Sequence, residues 1–181
     1  MILPKPINFK VERYIGGLSQ FKKIDNPIKL SANDSALGTS PKAIQAIEKD
    51  KDKILKYPES DSNSLREVLS EKFDIDSKRV ICGSGSDQIF DLTCRLFLQP
   101  DDEVIVTEFG FIMHKIYASL YKAKVVLAKQ KNFKASVEEI IKKVSNKTKI
   151  VFIANPNNPT GTYLSKKEML DLRKNLEVIF F

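Results

Sequence analysis

Short β-branched runs alternate with amphipathic helical stretches along most of this chain, and that alternation leaves few folds open. Glu103–Thr107, Lys124–Ala128 and Lys149–Ala154 read as strands, with Arg79–Cys82 before them. Between and around them, Asp87–Leu98, Ile112–Tyr121 and Ser136–Val144 read as helices. In the first of these, Ile89, Phe90, Leu92, Thr93, Leu96 and Phe97 form one apolar stripe. Strands separated by helical segments cannot be hairpins; they cross over and pair in parallel. The expected fold is α/β, a mostly parallel sheet flanked by helices. Two further helices are expected, one from Ser40-Pro41 through Ile47, the other over Ser64–Lys72 with Leu65, Val68 and Leu69 on one face. Ser165 and Glu168 have the spacing of a capping box and open a last helix. Leu176–Phe181 reads as a final strand meant for burial, which gives the sheet the look of one cut short. Residues 1–29, with Pro4, Pro6, Gly16, Gly17 and Pro27 and little periodicity, are expected to form an arm. The folded body is expected over residues 30–181.

Composition narrows the function classes. At 181 residues, 42% hydrophobic and 29% charged, the chain suits a soluble globular fold with a sizeable core. It shows no membrane-spanning run and no secretory leader, so no membrane partner is expected. Cys82 and Cys94 have no metal-type spacing, and no metal site is expected; two thiols of this kind suit a reduced, cytoplasmic setting. The net charge of +7 comes from scattered lysines with only five arginines. Nucleic-acid readers cluster arginine with aromatic residues, and this pattern is absent, so no nucleic-acid partner is expected. Scattered lysine favours phosphorylated ligands instead.

Two loops carry chemistry. Asn155-Pro156-Asn157-Asn158-Pro159-Thr160-Gly161 follows an apolar strand, at the kind of edge where α/β sheets bind ligands. Proline fixes the local backbone, so the asparagine amides are held in place to meet a ligand oxygen; the same residue types also make ordinary turns. Gly83-Ser84-Gly85-Ser86-Asp87-Gln88 precedes a helix, where free backbone N–H groups make an anion site. Neither a dinucleotide fingerprint nor a P-loop is present. Both loops are expected on one sheet edge, around a phosphate-bearing ligand.

These residues resemble the first half of a fold-type I pyridoxal-phosphate aminotransferase, nearest the histidinol-phosphate aminotransferase group. The similarity runs through Leu30–Asn33, Gly38–Ile44, Tyr57-Pro58, Leu65-Arg66, Gly83–Gln88, Pro100–Val104 and Asn155–Gly161. The resemblance implies part of the large domain of such an enzyme, with pyridoxal 5′-phosphate as cofactor and an amino acid and a 2-oxo acid as substrates. It implies that Ser86, Asp87 and Gln88 hold the cofactor phosphate, that Phe111 stacks on the ring, and that Asn158 bonds the ring 3-oxygen across a cis Asn158–Pro159 bond. Tyr57 would reach the phosphate of the other subunit of a homodimer. Asn33 would line the substrate's way in, where the family's Asn-Glu-Asn-Pro-Leu-Gly is here Asn33-Asp34-Ser35-Ala36-Leu37-Gly38. His114 stands where Tyr is common, and a lone histidine of this kind is read as structural. In such enzymes the lysine that bonds the cofactor, the carboxylate that pairs its pyridinium nitrogen and the arginine that grips the substrate lie beyond the matched residues, so no catalytic residue is assigned here. Two readings follow: an aminotransferase portion that works with a second half, or a non-catalytic remnant that binds the cofactor weakly.

Overall fold

The computed structural model describes residues 11–17, 28–176 and the backbone of 179–180. Its strands are β1 (Glu103–Thr107), β2 (Lys124–Ala128), β3 (Gln130–Lys131), β4 (Lys134–Ala135), β5 (Thr148–Phe152) and β6 (Ile179–Phe180). Its helices are α1 (Pro41–Asp50), α2 (Asn63–Phe73), α3 (Gly85–Phe97), α4 (Ile112–Leu120), α5 (Val137–Ile141) and α6 (Lys166–Lys174). They fall into two compact units, one within Ile15–Gly83 and one built from Ser84 onward, to which residues 11–14 also belong.

In the second unit β1 pairs in parallel with β2 on one side and β5 on the other, and β6 adds in parallel to β5. The strand order is β2-β1-β5-β6. Successive side chains of a strand point to opposite faces, so Val104, Val106, Ile150 and Phe152 look one way and Ile105 and Val151 the other. Phe90 and Cys94 of α3 and Ala118 of α4 cover the first face; Ile140 of α5 and Leu172 of α6 cover the second. Every residue of β1 is buried, which explains a strand with no polar alternation. Each fully buried aliphatic side chain here contributes roughly 1.5–3 kcal/mol.

This topology positions the site. The connection after β1 runs through α4 on one face, while the connection after β5 runs through α6 on the other. Adjacent parallel strands whose connections leave on opposite faces form a switch point, and the crevice beyond their C-terminal ends is where such sheets take ligands. The helix α3 leads through residues 98–102 into the start of β1, so it runs opposite to the strands and its first turn lies at their C-terminal edge. Phe90, near that turn, meets Phe152 at the end of β5 with ring centroids 5.6 Å apart.

The last helix has its capping box: the Ser165 hydroxyl accepts from Glu168 N–H at 3.3 Å, and Ser165 N–H donates to the Glu168 carboxylate at 2.7 Å. Ser136 caps α5 by accepting from Glu139 N–H at 3.4 Å. A hairpin joins β3 to β4, with Asn132 and Phe133 at φ 51° and 61°, the mirror-image turn that matches strand twist. Burial pushes the Cys94 thiol up to about 12, which keeps it protonated and inert. Of the expected final strand, Ile179–Phe180 pair with Ile150 and Val151; 177, 178 and 181 lie outside the described residues.

In the first unit, α1 and α2 form without burying any residue; Leu65 and Val68 of α2 stay exposed. The Arg66 guanidinium donates twice to the Ser77 carbonyl, at 3.0 and 2.8 Å. The strand expected over Arg79–Cys82 is absent. Ser77–Arg79 forms a short 3-10 turn and Val80 is extended, but no strand among the described residues pairs with this run, and Ile81 is 77% exposed. Apolar composition favours an extended backbone, yet a strand exists only where a neighbour supplies the ladder. The expected arm, residues 1–29, lies largely outside the described residues.

Candidate functional site

The first turn of α3 brings Ser86, Asp87 and Gln88 to the C-terminal edge of the sheet. Gly85 enters at φ +78°, a left-handed value that favours glycine. The Gln88 side-chain oxygen Oε1 accepts from Ser84 N–H at 2.6 Å and so closes the turn. The N–H groups of the first turn have no intrahelical acceptor and point outward with the positive end of the helix dipole. Ser86 and Gln88 are exposed and Asp87 is half-buried. Asp87 is itself negative, so what it offers an anion is its backbone N–H.

The asparagine loop leaves β5 beside this turn. Both Asn155–Pro156 and Asn158–Pro159 are cis; the second was expected from the resemblance, the first was not. The three asparagines have different work. Asn155 clamps Leu164, donating to its carbonyl at 3.1 Å and accepting its N–H at 2.8 Å. Asn157 is buried, at 6% exposure, and its amide nitrogen donates to the Phe109 carbonyl at 3.0 Å and to the Thr160 hydroxyl at 2.7 Å. Its backbone N–H and carbonyl close the loop on Thr162 and Gly161 at 2.7 and 2.8 Å. The Asn158 side chain is half-buried and makes no hydrogen bond to the described residues. A free amide that follows a committed asparagine and precedes the bonded Thr160 suits a ligand-binding asparagine, because those neighbours hold the backbone still.

Two phenylalanines flank the loop's anchor point. Phe111 caps α4, with its ring edge-on to Phe90 (6.3 Å) and to His114 (5.6 Å). Phe109 leaves β1 two residues earlier, with a ring 45% exposed and a carbonyl held by Asn157. The sequence reading missed Phe109; its signal was an aromatic-glycine pair at the end of a buried strand. His114 is 4% exposed, stacked on Phe152 at 5.0 Å and edge-on to Phe90 at 4.8 Å. Burial pushes its pKa down to about 4, so at neutral pH it is an uncharged core residue.

The structure therefore brings Ser86, Asp87, Gln88, Phe111 and Asn158 to one edge of one unit. Tyr57 and Asn33 belong to the other unit, and both are exposed there. Among the described residues there is no metal-type cluster, and no helix is long and apolar enough to cross a membrane.

Comparison with known proteins gives this edge its context. A histidinol-phosphate aminotransferase from Pelagibacter ubique is 54% identical over 176 residues, covering 97% of this chain and 49% of that protein. One from Paramagnetospirillum magneticum is 39% identical, covering 96% and 48%. The chain thus spans about half the length of the curated relatives it matches. The crystal structure of a Sinorhizobium meliloti histidinol-phosphate aminotransferase in complex with pyridoxal-5′-phosphate superposes with a TM-score of 0.79 at 19% identity, over 82% of this chain and 41% of that one; at that identity it speaks for the fold alone. A profile of the family described as aminotransferase class I and II matches residues 25–180, and the chain belongs to that family.

Proposed function

We propose that this chain carries the phosphate- and ring-binding portion of a pyridoxal-phosphate aminotransferase site. The whole enzyme would move an amino group between an amino acid and a 2-oxo acid, with histidinol phosphate, named for the relatives, as the amino-group partner. One observation carries the reading: among three asparagines in one loop, Asn158 alone makes no side-chain hydrogen bond to the described residues, and it stands on the same edge as the open first turn of α3. Those two features fit the cofactor's chemistry, a dianionic phosphate and an oxygen on a ring.

Backbone N–H groups at Ser86, Asp87 and Gln88, with the Ser86 hydroxyl, would hold the phosphate. The Asn158 amide would donate to the ring oxygen. For the ring face the resemblance names Phe111; we assign the contact to Phe109, because its ring is the more exposed and its backbone is tied by Asn157 directly to the loop that carries Asn158. When bound, pyridoxal phosphate supplies the electron-accepting ring that amino transfer uses. Tyr57, fully exposed in its own unit, is free to reach a partner subunit, and Asn33 is free to meet substrate. The reading carries a cytoplasmic homodimer with it.

Pyridoxamine 5′-phosphate is the probe of choice, since it has no aldehyde to react with a lysine-rich surface. Equilibrium dialysis should show saturable binding at one site, weakened about tenfold or more in Asn158→Ala, as expected for a charge-assisted hydrogen bond worth roughly 1.5–3 kcal/mol. Equal binding by both proteins would refute the assignment. In the same assay Phe109→Ala should weaken binding; a loss in Phe111→Ala alone would return the ring contact to Phe111.

A further inference from the structure

The β3–β4 hairpin has no place in the reading so far, yet its tip is bonded to the asparagine loop. The Phe133 carbonyl accepts the Thr160 hydroxyl at 3.0 Å and the Thr162 hydroxyl at 2.8 Å, one for each lone pair. The Thr160 oxygen in turn accepts from the Asn157 amide nitrogen at 2.7 Å, whose second proton goes to the Phe109 carbonyl at 3.0 Å. The Thr160 and Thr162 hydroxyls also lie 2.9 Å apart, where either can donate to the other, so the two hydroxyls and the Phe133 carbonyl form one shared cluster. The Phe133 and Phe109 rings close the circuit, their centroids 5.3 Å apart. The hairpin is fixed beside its turn too, by Lys134 on the Glu168 carboxylate at 2.8 Å. The loop beside Asn158 is thus held from β1 by Phe109 and from the hairpin by Phe133.

We propose that the hairpin tip is the brace that aims Asn158, and that Thr162, through the Phe133 carbonyl, is a positioning residue for the cofactor's ring oxygen. The inference rests on Asn158 bonding that oxygen. Thr162 lies outside the loop's own seven residues, and its role would be to fix where the loop's returning segment meets the hairpin. Without the Thr162 hydroxyl the loop keeps its ties through Asn155, Asn157 and Thr160 but loses one of its two bonds to the hairpin tip, which would let the Asn158 amide sample more directions and weaken its bond to the ring oxygen.

The test measures pyridoxamine 5′-phosphate binding to the full chain and to Thr162→Val, Thr162→Ser and Asn158→Ala. Valine keeps the shape and removes the hydroxyl; serine keeps the hydroxyl. Thr162→Val should bind roughly fivefold more weakly, about the worth of one hydrogen bond, while Thr162→Ser binds within about twofold of the parent. The shift of the Asn158 side-chain amide resonance on saturation should shrink in Thr162→Val and return in Thr162→Ser, which a merely structural role would not produce. Thr162→Ala removes the same hydroxyl from a half-buried position and carries the test if the valine variant does not fold. Parent-like binding and amide shift in the hydroxyl-less variant, with Asn158→Ala still weakened, overturn the brace and leave the site standing. Parent-like binding by Asn158→Ala overturns the site, and the brace with it.

Discussion

Asn155 and Asn157 hold the loop while Asn158 is left to bind, so alanine at 157 and at 158 separates folding from binding. Asn157→Ala removes two buried donors and leaves the Phe109 carbonyl without its partner; it should cost about 1–3 kcal/mol in urea unfolding. Asn158→Ala should leave that unfolding curve within roughly 0.5 kcal/mol of the parent, since no bond within the described residues is lost. His114 gives the residue scale its pH dependence. Its folded pKa, about 4, lies below its ordinary 6.5, so the unfolded chain binds more protons between those values. Its contribution is complete above pH 6.5 and is lost as pH falls toward 4, at most about 3 kcal/mol. Melting curves over that window should slope downward with acid, and His114→Phe should flatten the slope. At this scale the sequence marked the asparagine loop as a candidate ligand loop and named Asn158 by resemblance. It could not show the difference among the three: chemically identical amides become different only when the returning chain commits Asn155 to Leu164 and the fold brings the Phe109 carbonyl and Thr160 to Asn157.

The elements were largely legible because burial on both faces of a parallel sheet writes itself as unbroken apolar runs, and crossover helices as stripes. Glu103–Thr107 and Lys124–Ala128 form as read. Arg79–Cys82 failed because its pattern speaks of burial while its pairing depends on a neighbour that no local pattern encodes. The hairpin at Gln130–Ala135 was missed for the opposite reason: strands of two residues each carry no periodicity, and Asn132-Phe133 is an unusual pair for a mirror-image turn. The capping box at Ser165 and Glu168 was readable from spacing alone, and it carries two predictions. Ser165→Ala should cost about 1 kcal/mol by thermal unfolding. Hydrogen bonds from Lys134 and from Ser165 hold the Glu168 carboxyl down at about 2, below its ordinary 4.5. That contribution is present above pH 4.5 and fades as pH falls toward 2, a window that overlaps that of His114 only near pH 4–4.5. Lys134→Met should remove the larger part of it while leaving the slope between pH 4 and 6.5 in place.

On the scale of the molecule, the sheet-bearing unit holds the first turn of α3 and the asparagine loop, and the unit within Ile15–Gly83 holds Tyr57 and Asn33. On the proposed reading the site residues at the sheet edge would supply hydrogen bonds and an aromatic face, and none of them is an amine that could bond the cofactor. The 181-residue chain tested alone with pyridoxal phosphate should therefore transfer amino groups at rates indistinguishable from free cofactor, since a positioned general acid–base is worth roughly 10²–10⁴-fold. A saturable excess that Asn158→Ala abolishes would mean that a lysine within these residues does that work. The central claim, that the first turn of α3 and the asparagine loop grip one ligand together, is tested most directly by amide chemical shifts. With the ¹⁵N-labelled chain titrated by pyridoxamine 5′-phosphate, the backbone amides of Ser86, Asp87 and Gln88 and the side-chain amide of Asn158 should move along one binding curve. Shifts confined to one of the two loops, or scattered over the lysine-bearing surface, would contradict the account.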